Sequence, residues 1–239
     1  LNPEEIEKRI TSKTKMIIIN TPNNPTGAVA SKDALEKIAA LAKRYDLLVL
    51  SDEIYEKLLY EDSKHYSLAG FPGMKERTLT VNGFSKAYSM TGWRIGYVAA
   101  AKPFIDAMIR VHQYTVVCAT SFAQYGAESA LRGSQSCVEE MRSEFDRRRK
   151  LVINRIGKID GLSVSVPQGA FYAFINIKSL GMSSEEAARF YLREAGVALV
   201  PGSAFGKYGE GYVRASFANS YENIKEAMDK IEVATQGLK

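Results

Sequence analysis

Cysteine is scarce: Cys118 and Cys137 are the only two in 239 residues, and they are not closely spaced. That excludes a disulfide framework and a thiolate metal site, so no metal is expected and a reducing compartment, the cytoplasm, is the expected location. Histidine is equally rare, and His65 and His112 are assigned no role. No apolar run approaches the roughly 20 residues a membrane span needs, and the opening residues are polar and helix-forming rather than signal-like. Charge of one sign is not concentrated either. The net charge is +5, but basic residues are scattered among acidic ones along the whole length. The densest cluster, Arg147-Arg148-Arg149-Lys150, follows Glu139, Glu140, Glu144 and Asp146 in a helical pattern. It reads as a solvated helix face, not as a nucleic-acid patch.

What is present is an ordinary α/β composition, 46% hydrophobic and 25% charged, long enough for one large domain or two modest ones. Asn2 and Pro3 predict a short helix over residues 3–10, and Lys15 to Asn20 a buried parallel strand, apolar on both faces. The loop Thr21-Pro22-Asn23-Asn24-Pro25-Thr26-Gly27 follows, then a helix capped by Ser31, then a second buried strand at 47–50 that delivers Ser51-Asp52-Glu53-Ile54-Tyr55. Strand, helix, strand implies a right-handed crossover, which puts Asn24 and Asp52 on one sheet edge. Thr78 to Val81 is a third strand on that edge, and 94–100 a fourth of undefined direction. Helices are expected over 102–116 and, capped by Thr120 or Ser121, over 121–132. A long helix over 136–159 leads into shorter strands (163–166, 170–177, 197–200, 212–217) and two amphipathic helices (183–195 and 221–234). Ser183 and Glu186 form a capping box on the first of these. This predicts a large domain over residues 1–145, a three-layer αβα arrangement on a mainly parallel sheet, and a smaller α+β domain over 146–239.

The stretch around which these elements arrange themselves is Thr80-Val81-Asn82-Gly83-Phe84-Ser85-Lys86, with Arg94 shortly after. Gly83 permits a sharp turn that places Ser85 and Lys86 at the carboxyl end of a strand, where open α/β sheets bind ligands. A lysine among apolar neighbours loses its proton more readily, and a neutral amine attacks a carbonyl to form a Schiff base. Ser85 and Arg94 suit a phosphate. Singly, each residue has an ordinary reading: Asn24 as a turn residue, Asp52 as a cap, Tyr55 as packing and Arg214 as a surface charge. Tyr88, Trp93 and Tyr97 are assigned to packing. Together, a lysine, a serine and arginine, an aspartate, a tyrosine and an asparagine at neighbouring strand ends fit pyridoxal 5′-phosphate.

Four stretches in order, Asn23-Asn24-Pro25-Thr26-Gly27, Ser51-Asp52-Glu53-Ile54-Tyr55, Ser85-Lys86 with Arg94, and Val213-Arg214-Ala215-Ser216-Phe217, resemble the class I aminotransferases, the fold-type I pyridoxal-phosphate enzymes of the aspartate aminotransferase superfamily. The resemblance makes Lys86 the Schiff-base lysine and proton carrier and Asp52 the partner of the pyridine nitrogen. It gives Tyr55 and Asn24 the cofactor's phenolic oxygen, and Ser85 and Arg94 its phosphate. Arg214 then takes the substrate carboxylate, assisted by Asn24. It implies a ping-pong aminotransferase acting on aspartate or an aromatic amino acid, with 2-oxoglutarate as acceptor, and a homodimer; Thr120, Ser121 and Gln124 resemble a segment near the family's subunit interface. A carbon–sulfur β-lyase, an aminocyclopropane-carboxylate-synthase-like enzyme, or an inactive fragment acting by binding are the alternatives. The family also carries, ahead of the matched region, a segment with a phosphate-binding turn. The chain is therefore expected to be a C-terminal portion whose fold that segment completes, and to be poorly soluble or unable to retain cofactor alone.

Overall fold

The computed structural model describes residues 1–238. They form two compact units, one made of Leu1–Pro22 and Val29–Glu139, the other of Asn23–Ala28 and residues 140–238. The chain enters the second unit within the long helix, between Glu139 and Glu140, and the Asn23–Ala28 turn belongs to that second unit rather than to the sequence around it.

The first unit opens with α1 (Pro3–Glu7), whose N-terminal amides at Glu4 and Glu5 donate to the Asn2 side chain. It is shorter than expected: beyond Glu7 the chain turns, and Arg9 N and Ile10 N bond carbonyls three residues back. β1 (Met16–Asn20), α2 (Lys32–Arg44), β2 (Leu48–Asp52), β3 (Thr78–Gly83) and β4 (Gly96–Ala99) follow. The sheet order is β1-β2-β3-β4, with the first two pairings parallel and the last antiparallel. Ser31 caps α2 by accepting from Ala34 N, and the apolar stripe of that helix, Leu35, Ile38 and Ala42, packs on Ile17, Ile19 and Val49. One expectation fails here. β1 is not buried on both faces, since Ile18 is 70% exposed between buried Ile17 and Ile19. Only the α2 side of this strand is covered among the described residues.

α3 (Lys102–Thr115) and α4 (Ser121–Arg132) complete the unit. Thr120 occupies the N-cap position of α4 without a side-chain bond. α4 packs Ala127 on Phe84 and Met90, whereas α3 buries no residue.

The second unit contains α5 (Ser136–Ile156) from Glu140 onward, then β5 (Ser163–Val164), β6 (Tyr172–Asn176), α6 (Ser184–Glu194), β7 (Val200–Pro201), β8 (Tyr212–Ser216) and α7 (Tyr221–Gln236). Its sheet is antiparallel throughout, ordered β5-β6-β8-β7. The capping box at Ser183 and Glu186 is present. β7 lies later in the chain than its apolar residues indicated, because Val197 N still bonds Tyr191 O at the end of α6. The basic cluster is a solvated face only in part: Arg147 and Lys150 are exposed, but Arg149 is 1% exposed and paired with Asp146, and Arg147 lies over the Tyr221 ring. A long cation in a helical run can turn inward when a carboxylate three residues back meets it, which composition does not reveal.

Candidate functional site

In the first unit the parallel register sets Asn20 opposite Asp52 and Asp52 opposite Val81, so the carboxyl ends of β1, β2 and β3 share one edge. Asp52 is the last residue of β2. Its Oδ1 accepts Ile54 N–H at 3.2 Å. Its carboxyl is pushed above the usual range, chiefly by burial; the Ile54 N–H opposes the shift and the neighbouring Glu53 charge adds to it. Tyr55 is buried in the turn that follows, and Glu56 N and Leu58 N donate to Glu53 O and Tyr55 O there.

Ser85 and Lys86 lie just past β3, both half-buried. The Lys86 Nζ stands 5.8 Å from the centre of the Tyr55 ring. Buried Phe84, Ala87 and Met90 pin the turn that carries it. Gly83 belongs to the strand and not to the sharp turn expected of it. It is the last residue of β3, opposite Gly96, and a Cβ on it would stand 3.1 Å from the Gly96 Cα. The glycine pair lets two backbones approach closely behind the lysine turn. Arg94 is exposed, in the left-handed region at φ +52°, with NH1 donating to Thr91 O at 2.7 Å. A left-handed non-glycine residue persists only where its surroundings hold it. No carboxylate pairs with Arg94 among the described residues.

Asn24 and Arg214 come together in the second unit. Arg214, on β8, is opposite Phe174 on one side and Val200 on the other. Its guanidinium lies 4.6 Å from the Tyr172 ring centre and 5.0 Å from that of Phe205. NH1 donates to Asn24 Oδ1 at 2.8 Å, and Nε is buried without a hydrogen-bond partner. A guanidinium packed near two rings with an edge N–H unmet is prepared for a planar anion such as a carboxylate.

The turn bearing Asn24 is closed by Gly27 N donating to Asn23 O, and by the Thr26 hydroxyl donating to Asn23 Oδ1. Gln168 N and Gly169 N both donate to Gly27 O at 2.8 Å, and Arg149 NH1 donates to Pro167 O at 2.9 Å. A buried arginine thus steadies the loop that steadies the turn.

Sequence reasoning passed over four residues of the first unit. Glu53, 2% exposed, accepts from Ser51, Ser67 and His65. The only available signal was an acidic residue beside Asp52; nothing in the spacing of His65 or Ser67 pointed to it.

Tyr88 bonds Gln135 through its hydroxyl at 2.9 Å, Trp93 packs against Gly126 and Phe122, and Tyr97 lies 5.8 Å from Phe84. Among the described residues no helix is long and apolar enough to cross a membrane.

Comparison with known proteins bears on the whole chain. The family model "Aminotransferase class I and II" matches residues 1–231. The chain is 54% identical over 234 residues to an aspartate aminotransferase of Pyrococcus abyssi, covering 97% of this chain and 60% of that protein. It is 51% identical to aromatic-amino-acid aminotransferase 2 of Thermococcus litoralis, with the same coverage. The crystal structure of an aromatic aminotransferase from Pyrococcus horikoshii superposes with a TM-score of 0.97 at 50% identity, covering 99% of this chain and 64% of that one. The chain spans about 60% of the length of the curated relatives it matches.

Proposed function

This chain belongs to the aminotransferase class I and II family, and from that premise we propose that it carries the cofactor-holding and carboxylate-binding residues of a pyridoxal 5′-phosphate-dependent aminotransferase. The observation that carries this reading is the half-buried Lys86 amine against the Tyr55 ring, in a unit whose sheet edge also presents the raised Asp52 carboxyl. The donor set fits the cofactor's chemistry. Asp52 is a carboxylate for a ring N–H, Ser85 and the unpaired Arg94 offer a hydroxyl and a fork of N–H groups for a phosphate, and Tyr55 and Asn24 are donors for a phenolic oxygen. When bound, pyridoxal 5′-phosphate supplies an aldehyde that couples to amines and a ring that accepts the electron pair released at the substrate carbon.

Within that reading, Arg214 pairs with the substrate α-carboxylate and Asn24 keeps the guanidinium oriented through its 2.8 Å bond. The Lys86 Nζ takes the proton from the substrate Cα and later returns one. Asp52 holds the ring nitrogen's proton in place. The relatives' names support aspartate or an aromatic amino acid as donor, and 2-oxoglutarate is the acceptor of this proposal. The exposed Val111, Tyr114, Val117, Phe122 and Tyr125, on and between α3 and α4, support a homodimer in which a second copy covers them. Two exposed, unpaired cysteines support a reducing compartment such as the cytoplasm.

The test is optical. Pyridoxal 5′-phosphate added to the full-length protein should produce a visible band that shifts with an amino acid and disappears on borohydride treatment, and a panel of amino-acid donors then identifies the substrate. Lys86→Ala should abolish both band and turnover; a Lys86→Ala protein that turns over at the unmodified rate refutes the assignment.

A further inference from the structure

Arg149 is almost wholly buried, and the chemistry proposed above makes no use of it. Its Nε and NH2 meet Asp146 Oδ1 at 2.8 Å, and its NH1 donates to Pro167 O at 2.9 Å. A buried ion pair of this kind adds little stability over well-packed apolar side chains, because both charges leave water. What an apolar side chain could not supply is a donor for the Pro167 carbonyl. One turn earlier on the same face of α5, buried Phe145 places its ring 5.4 Å from that of Phe171. The helix therefore grips both ends of the loop 167–171.

That loop is held in a costly shape. Fully buried Ala170 stands in the left-handed region at φ +57°, which a residue with a Cβ keeps only where its surroundings hold it. The loop also carries both contacts that orient Arg214. At one end Gln168 N and Gly169 N donate to Gly27 O at 2.8 Å, in the turn whose Asn24 accepts from Arg214 NH1. At the other end the loop runs straight into Tyr172, whose ring lies 4.6 Å from the Arg214 guanidinium. Phe171 O accepts Phe217 N at 3.0 Å, which ties the loop to the chain just past β8, the strand that bears Arg214. All of these residues belong to the second unit.

We propose that Arg149 is a positioning residue for carboxylate recognition: by holding the loop 167–171, it sets where Asn24 and the Tyr172 ring keep the Arg214 guanidinium. The proposal rests on the carboxylate-binding role given to Arg214 above, and the experiment separates the two. A clamp that served the fold alone would lower stability and leave recognition untouched.

The experiment uses the full-length protein with pyridoxal 5′-phosphate bound. Turnover of L-aspartate and L-phenylalanine with 2-oxoglutarate is measured below the unfolding transition of each variant. Arg149→Leu should raise KM for the donor about fivefold and change kcat by less than about twofold, the result of losing binding equally from ground and transition states. In the Arg214→Ala background the same change should leave KM within about twofold, since the guanidinium it positions is gone. A folded Arg149→Leu protein with unmoved KM overturns the proposal, as does an equal rise in both backgrounds. Arg214→Ala by itself should raise KM about tenfold or more; an unmoved KM there refutes the carboxylate role of Arg214 itself.

Hydrogen exchange on the unmodified protein supplies a second test if Arg149→Leu does not fold. Bound 2-oxoglutarate should slow exchange of the Gln168 and Gly169 amides by about threefold or more, because coupling between two sites acts in both directions. Unchanged exchange with the anion bound overturns the proposal. An anion bound no better by the unmodified protein than by Arg214→Ala refutes instead the role given to Arg214.

Discussion

Among the described residues each compact unit buries one acidic or basic side chain almost completely, Glu53 in the first and Arg149 in the second, and the two are held in different ways. Arg149 meets a carboxylate, Asp146, and donates to the carbonyl of Pro167, so its charge is cancelled where it sits. Glu53 meets two hydroxyls and the His65 ring, which together hold its carboxyl below the usual range against the effect of burial. The first arrangement acts as a clamp: it fixes a loop, and through Gln168 and Gly169 the turn bearing Asn24. The second ties the end of β2 to the loop that carries His65 and Ser67.

The largest expected effect tests the clamp. Arg149→Leu leaves Asp146 with Lys150 as its remaining basic partner and the Pro167 carbonyl without this donor. It should lower stability by about 3 kcal/mol, measured by urea unfolding. Gly27→Ala attacks the other end of the same clamp. Gly27 sits at φ +68°, and a Cβ there would fall 2.5 Å from the Pro167 Cβ. The cost should be about 2 kcal/mol, and the double variant with Arg149→Leu should lose less than the sum, since both changes release one loop.

Glu53→Gln should lower stability by only about 1 kcal/mol at pH 7, with a loss that depends on pH. The folded Glu53 carboxyl lies below its ordinary value of 4.5, so the group stabilises the protein above that pH and loses the contribution as pH falls through its folded midpoint. Unfolding curves of the two proteins should therefore converge in acid. Asp52, shifted upward, works in the opposite direction, stabilising only at low pH. A gap between the proteins that stays constant from pH 7 to pH 3 would contradict the charged state assigned to Glu53. The smallest effect concerns recognition: Phe205→Ala removes one ring from the Arg214 guanidinium and should raise KM for the amino-acid donor about fivefold with little change in kcat.

Much of the fold was legible because its cues are local. The caps at Asn2, Ser31 and Ser183, the apolar stripe of α2 and the turn residues after β1 each act within a few positions. Asp52 and Lys86 were legible as strand-end residues for the same reason. Where the reading failed, a distant partner decided. Ile18 looked buried because apolar residues flank it, yet nothing described covers that face of β1. Gly83 looked like a turn residue, and it is Gly96, opposite it in the sheet, that requires its missing side chain.

Order along the chain therefore determined the secondary structure, the family and the residues that stand at the ends of the parallel strands, since helix starts, strand periodicity and turn chemistry depend on neighbours in sequence. Only the tertiary structure decided what each buried charge touches. His65 and Ser67 reach Glu53 from a separate loop, Pro167 meets Arg149 from beyond the helix, and Asn24 meets Arg214 across 190 positions. Those pairings are set by which loop closes over which strand, and no periodicity in the chain encodes that.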